Sequence, residues 1–415
     1  MDLLKPRRRD LIGASAALFG LGVGPVVSAP RRKLVVLNAT GGWDTTWTVD
    51  PKPGIEGIHT PDGEAGRIAG HDVWLHEDRP SVTAFYERWG ANAALVRGLG
   101  MRSIDHVSCQ RRLMTGSLSS AAPDVAAIAA NQLGTDRPLP YLLLGGRGLP
   151  GNLGADMVQN GATNQIAALL DSGAEPLADV AQSWVPDAAD RAEIDAFVGA
   201  RLAAVSGDGP TRWRANELAL ARSRAADLRH RAGQFGLPGV PLDAAAQILL
   251  AVDLLGERVS WSIHMDSGQD FDTHALADTQ GPSHEALFAT LLALCDSLSD
   301  RPGDESETLL DETIVLVVSE MTRTGARNQF NGNDHWPWAT VLLVGGGVLG
   351  GRPYGVTDDA LSGGRVCFET GDPAEDGVGL QAEHLTAGLL AGLGVEPSSF
   401  VQTHEAFTAW VATSS

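Results

Sequence analysis

Cysteine is scarce in this chain: Cys109, Cys295 and Cys367 are the only three in 415 residues. They are too few and too widely spaced for a disulfide framework or a zinc-finger pattern. Basic charge is also short. With 31 Lys and Arg against 51 Asp and Glu, the formal charge is -20. That balance argues against a nucleic-acid partner, because neutralising phosphates requires a basic surface, and equally against an anionic membrane face. It leaves an anionic substrate open, since a bound divalent cation reverses the local field. Long apolar runs are missing too: the stretch from Leu11 to Gly24 falls short of the roughly 20 residues that span a bilayer. No G-x-S-x-G elbow is present, which removes support for a serine esterase. GGRGLPGNLG at 145–154 lacks the G-K-S/T ending of a phosphate-cradling loop and reads as a turn-rich connection.

What is present begins at the N-terminus. In PRRRDLIGASAALFGLGVGPVVSAP, Arg8 and Arg9 precede Asp10, Leu11 and Ile12, and Val27-Ser28-Ala29 offers a small-residue cleavage site. The pattern predicts a Tat signal peptide over 1–29, the Tat translocase as a transient partner, and a periplasmic or secreted location. From residue 30 to 415 the chain has the length and the apolar content for a sizeable core. Short, continuously apolar runs at 33–38, 94–99, 141–146, 259–265, 313–320 and 340–347 suit strands buried on both faces of a mostly parallel sheet. Helical patterns at 242–257 and 284–300 alternate with them, so the expected fold is α/β, a three-layer αβα sandwich. Residues 161–236 are rich in Ala, Asp and Arg without strand signals, and predict a helical insertion.

In open parallel sheets ligands bind beyond the carboxyl ends of the strands. Here those ends deliver Asp44 in GGWDTTW, Asp105 and His106 in SIDHVSCQ, Asp270, Asp272 and His274 in DSGQDFDTH, Glu320, and Asp334 with His335 in NGNDHWPW. Mixed carboxylate and imidazole donors suit transition-type divalent ions, and an all-oxygen set suits calcium or magnesium. The expected cofactor is one or two divalent ions: Zn, Mn or Ca. Arg111 and Arg323 are candidates to hold an anion, because a guanidinium fork matches phosphate or sulfate oxygens. Trp43, Trp47, Trp74, Trp336 and Trp338 lie near these loops and read first as core packing, with ring stacking on a ligand as the alternative.

The twin-arginine signal, GGWD, the segment ending in RRLMTG, FDTH, SEMTRT, DH and GGGVLGGRPYG occur in an order that resembles a bacterial family of exported proteins grouped with the alkaline phosphatase and sulfatase superfamily. The resemblance runs from about 33 to 395 and is most specific over SEMTRTGARNQFNGNDHWPWATVLLVGGGVLGGRPYG. It implies an alkaline-phosphatase-like fold with Asp44, Asp272, His274, Asp334 and His335 as metal ligands, Asp270 competing with Asp272, and His384 at the place of a late ligand. Glu320 is a further ligand or a supporting carboxylate. Where superfamily enzymes carry a Ser, Thr or modified Cys nucleophile, this chain has His106 or Asp105, and Cys109 lacks the C-x-P-S/A-R context for conversion. His106 is therefore the expected catalytic residue, with Arg323 beside it. The resemblance implies a hydrolase of a phosphate or sulfate ester, small or polymeric. The alternative is a non-catalytic exported metal- or ligand-binding protein that serves a co-exported partner or its assembly.

Overall fold

The computed structural model describes residues 31–159, 188–231, 243–401 and 405–412. The expected signal peptide and parts of the expected insertion, 161–187 and 232–236, lie outside the described residues. Eight strands form one sheet: β1 (Lys33–Asn38), β2 (Ala93–Gly100), β3 (Tyr141–Leu143), β4 (Met157–Gln159), β5 (Ser262–Asp266), β6 (Thr313–Val318), β7 (Trp338–Gly345) and β8 (Arg352–Tyr354). The main helices are α1 (Pro80–Trp89), α2 (His106–Thr115), α3 (Val125–Leu133), α4 (Ala188–Ala203), α5 (Pro210–Arg231), α6 (Ala244–Gly256), α7 (Gln280–Ser299) and α8 (Ala382–Leu393).

The sheet order is β8-β2-β7-β6-β1-β5-β3-β4. Every neighbouring pair is parallel except those made by β7, which runs against both β2 and β6. The continuous apolar run of β7 reports burial on both faces, and direction is not encoded in it. Strand alternation then splits the core in two. Leu34 and Val36 of β1 pack with Cys109 and Leu113 of α2, with α3, and with Leu385 and Leu389 of α8. Val35 and Leu37 pack with Val82 and Phe85 of α1, Leu254 of α6, and Leu287 and Leu291 of α7. The result is the three-layer αβα sandwich expected from the βα alternation.

Local signals explain where the site-bearing helix begins and ends. Asp105 caps α2 by accepting from the Ser108 backbone N–H at 2.8 Å, and Gly116 ends it in the left-handed region with φ 63°. Two-residue ladders add local detail, one joining Thr322–Arg323 to His335–Trp336. An antiparallel hairpin over 64–75, not signalled by any apolar run, packs beside α1. No helix among the described residues is long and apolar enough to cross a membrane.

Candidate metal centre

The loops after β1, β2, β5 and β6 meet at one edge of the sheet. Because β7 is reversed, the loop that precedes it, carrying Asp334 and His335, reaches the same edge. His106 stands at the first position of α2, Asp272 and His274 follow β5, and His335 sits on its short ladder against Arg323. Ligand-type atoms of His106, Asp272 and His335 lie within 4.8 Å of one another.

Each imidazole is held by its Nδ1. His106 Nδ1 donates to Glu320 Oε1 at 2.6 Å, His335 Nδ1 donates to the Ile104 carbonyl at 2.7 Å, and His274 Nδ1 donates to Asp334 Oδ1 at 3.1 Å. A carbonyl or an ionised carboxylate can only accept, so the proton of each neutral ring sits on Nδ1 and each Nε2 carries a lone pair. Those Nε2 atoms converge on Asp272: His106 at 3.6 Å, His274 at 3.4 Å and His335 at 3.6 Å. The Nε2 atoms of His274 and His335 face each other at 2.9 Å. Two lone pairs at that distance repel unless a proton or a cation lies between them. His106 Nε2 is buried and has no hydrogen-bond partner. A tetrahedral ion at ordinary Zn–N and Zn–O distances spaces its donors roughly 3.3 Å apart, which falls inside the observed 2.9–3.6 Å. The donor set therefore fits a divalent ion, and rings pinned through Nδ1 are the usual support of metal-binding histidines.

Electrostatics agree with this geometry. The Glu320 hydrogen bond, opposed by burial, holds His106 above the ordinary histidine range. Burial, with the charges of Arg323 and His106, holds His335 below it, which keeps its Nε2 lone pair free. Burial works to raise Asp272, but the hydrogen bond and charge of Arg323 overcome it and keep the carboxyl below its usual range. Hydrogen bonds from Asn328 and His274 do the same for Asp334.

The remaining expected residues have other places. Asp44 is buried and accepts from the Thr46 backbone at 3.0 Å and the Thr46 hydroxyl at 2.7 Å. It caps a short 3-10 turn, its carboxyl is pushed up to about 6 by burial, and it does not join the converging donors. Glu320 uses Oε1 for both His106 and the Gly41 N–H at 3.0 Å, so it orients a ring. Asp334 likewise backs His274 and accepts from Asn328 at 3.0 Å. Asp270 accepts from the Asp272 backbone at 2.9 Å, which leaves Asp272 as the carboxylate that faces the histidines.

Arg323 departs from the expectation of an anion clamp. Its side chain is fully buried, with Nε on the Gly42 carbonyl at 3.0 Å, Nη1 on the Asn333 carbonyl at 3.3 Å, and Nη2 on both the Gly41 carbonyl and Asp272 Oδ1. Its donors are spent on the loops and on Asp272. Arg111 donates to the Ser119 carbonyl at 3.3 Å, away from the cluster. His384 closes the capping box of α8 and packs edge-on against Phe368. The Cys109 thiol is buried, bonded to the Ser103 carbonyl and pushed up to about 11 by burial. Trp43 is core, stacked on His284 at 5.9 Å.

Three contributors escaped the sequence reading. The Ile104 carbonyl carries no side-chain signal at all. Gln280 ties the Asp44 backbone N–H to the Phe271 carbonyl and the Thr273 hydroxyl, from a fully buried position at the start of α7. Asn328 bonds Asp334 and the His274 carbonyl, and the density of Asn and Gly around it was the available clue.

The fold and site define a class: a three-layer α/β protein whose strand-end loops assemble a histidine-rich centre anchored by one aspartate. Residues 31–409 match a family described as Protein of unknown function (DUF1501), and the chain belongs to that family. Among solved structures it is similar to Ps i-CgsB in complex with k-i-k-neocarrahexaose, at 10% identity over 91% of this chain and 75% of that one, with a TM-score of 0.40. A protein in the alkaline phosphatase superfamily from Vibrio parahaemolyticus matches at 11% identity over 88% and 67% of the two chains, with a TM-score of 0.38. The alkaline phosphatase from the Antarctic bacterium TAB5 matches at 13% identity over 77% and 93%, with a TM-score of 0.32. No curated protein matches the chain.

Proposed function

We propose that this chain is an exported, divalent-metal-dependent hydrolase of a phosphate or sulfate ester. The observation that carries the reading is the convergence of three Nδ1-pinned imidazoles on Asp272. His106, Asp272 and His335 are the core ligands, with His274 as a fourth donor. This imidazole-rich set favours Zn or Mn over Ca. An ion held there supplies Lewis acidity, polarising an ester oxygen and lowering the pKa of water toward about 7. The protein's own part is to hold the donors: Glu320 and Asp334 fix two rings, and Arg323 fixes Asp272 and keeps it ionised. The motif order and the twin-arginine segment support export, with 1–29 as signal peptide, a periplasmic or secreted location, and 161–236 as a helical insertion.

One observation favours a second reading, a metal-binding protein without turnover that serves an exported partner. Among the described residues, no serine, threonine or cysteine side chain is hydrogen-bonded to the side chains of His106, Asp272, His274 or His335. Metal analysis of the purified chain separates the possibilities when joined to a screen of aryl phosphates, phosphodiesters and aryl sulfates. The hydrolase reading expects near-stoichiometric Zn or Mn that is lost in Asp272→Ala, and turnover that a chelator stops and added metal restores. Bound metal with no turnover on any of these esters selects the second reading. Wild-type protein that takes up neither Zn nor Mn overturns both.

A further inference from the structure

Away from the metal centre, a pocket of about 480 Å³ opens where the loop after β1, the 64–75 hairpin, β2 and the GRPYGVT segment around β8 meet. In a chain with 20 more acidic than basic residues, this pocket is lined by Lys52, Arg67, Arg97 and Arg352 against only Asp50 and Asp372. The local sign is the reverse of the molecule's.

The pairing inside the pocket leaves positive charge over. Asp50 is buried and is shared: Oδ1 faces Lys52 Nζ at 3.3 Å and Arg97 Nη1 at 3.6 Å, and Oδ2 accepts from the Thr357 hydroxyl. One carboxylate thus serves two cations. Arg352 pairs with Asp372, and Arg67 pairs at 3.0 Å with Asp72 on its own hairpin. Four cations meet three carboxylates, an excess of one. Arg97 holds the Val49 carbonyl through Nη2, while its Nε is buried with no hydrogen-bond partner. A buried, under-paired guanidinium is costly to the protein, and a fork of N–H donors suits a tetrahedral oxyanion.

The backbone is shaped to hold this arrangement. Gly70 has φ 86°, and a Cβ there would meet the Gly351 carbonyl oxygen at 1.9 Å; Gly355 has φ 81°, and a Cβ there would meet the Arg97 carbonyl oxygen at 2.3 Å. Only glycine permits these approaches, so part of the GRPYG motif that the metal centre leaves unused serves to bring Arg352 and Arg97 to one pocket.

We propose that this pocket binds a single sulfate or phosphate group, either free or pendant on a larger ligand. This inference is independent of the metal reading. The test is calorimetric titration of the full chain with sodium sulfate, sodium phosphate and a monosaccharide sulfate, with chloride at equal ionic strength as control. Wild type and Asp272→Ala should both bind saturably, whereas Lys52→Gln with Arg352→Gln should weaken binding about tenfold or more, the loss of two charge-assisted contacts. Equal affinity for sulfate and the sugar sulfate marks the free ion, and tighter binding of the sugar sulfate marks a pendant group. Arg67→Gln, on an exposed side chain, gives a second variant should the double variant fail to fold, and should weaken binding in the same direction. Heats that chloride reproduces, binding unchanged in the variants, or binding abolished by Asp272→Ala would overturn the proposal.

Discussion

His106, His274 and His335 have the same design: a fixed acceptor behind Nδ1 and a lone pair on Nε2 aimed at Asp272. Weakening the acceptor should therefore weaken the ligand. Glu320→Gln keeps an oxygen for the His106 N–H but removes its charge, and metal affinity should fall about 10- to 100-fold in a competition titration against a zinc chelator. Arg323 acts through Asp272 and through three carbonyls, all from a fully buried position. Arg323→Met leaves those acceptors without donors, and urea denaturation should show a loss of about 3–5 kcal/mol. At this scale the sequence was informative about residue type and mute about role. Asp44, Glu320 and Asp334 look like ligands when read along the chain. The structure gives each a hydrogen-bonding task that faces away from the converging Nε2 atoms.

At the scale of elements, the helix caps were legible and the strand direction was not. Asp124, Asp243 and Asp105 each precede a helix and each accepts from a backbone N–H in its first turn. Asp124 does more than cap α3. Fully buried, it also accepts from the Leu149 N–H at 2.6 Å and the Tyr141 hydroxyl at 3.2 Å, tying the GGRGLPGNLG loop to the sheet. Asp124→Ala strands three donors in the interior, and its cost should be about 3 kcal/mol by chemical denaturation, against about 1 kcal/mol for an exposed cap such as Asp243→Ala. The reversal of β7 had no sequence signal, because a strand buried on both faces reads the same in either direction. That reversal brings His335 to the edge where His106 and Asp272 lie.

For the whole molecule, two buried histidines set the response to acid. His284 is fully buried and is pushed down to about 3 by burial; His264 is pushed down to about 4 for the same reason. Both stay neutral in the folded protein while the unfolded chain takes up protons below an ordinary value near 6.5. Their folded-state values are depressed, so the stability they confer is present above that value and is lost as pH falls toward 4 and 3. Each should remove about 2 kcal/mol between pH 7 and pH 5. Denaturation midpoints at the two pH values should show this slope, and His284→Gln should flatten it by about half of the pair's contribution.

The sequence alone determined the layered α/β architecture, because apolar run length and helical periodicity report burial directly. It also determined the edge at which the site forms, because the polar residues follow the strand ends. Which of those residues share a centre was decided only by tertiary structure. Side-chain direction depends on loop geometry, on the ladder joining His335 to Arg323, and on acceptors such as the Ile104 carbonyl that no residue type announces. The basic pocket was decided the same way. Its four cations stand at positions 52, 67, 97 and 352, and only the pairing of β8 with β2 and the glycine-permitted contacts of the GRPYG segment bring them together.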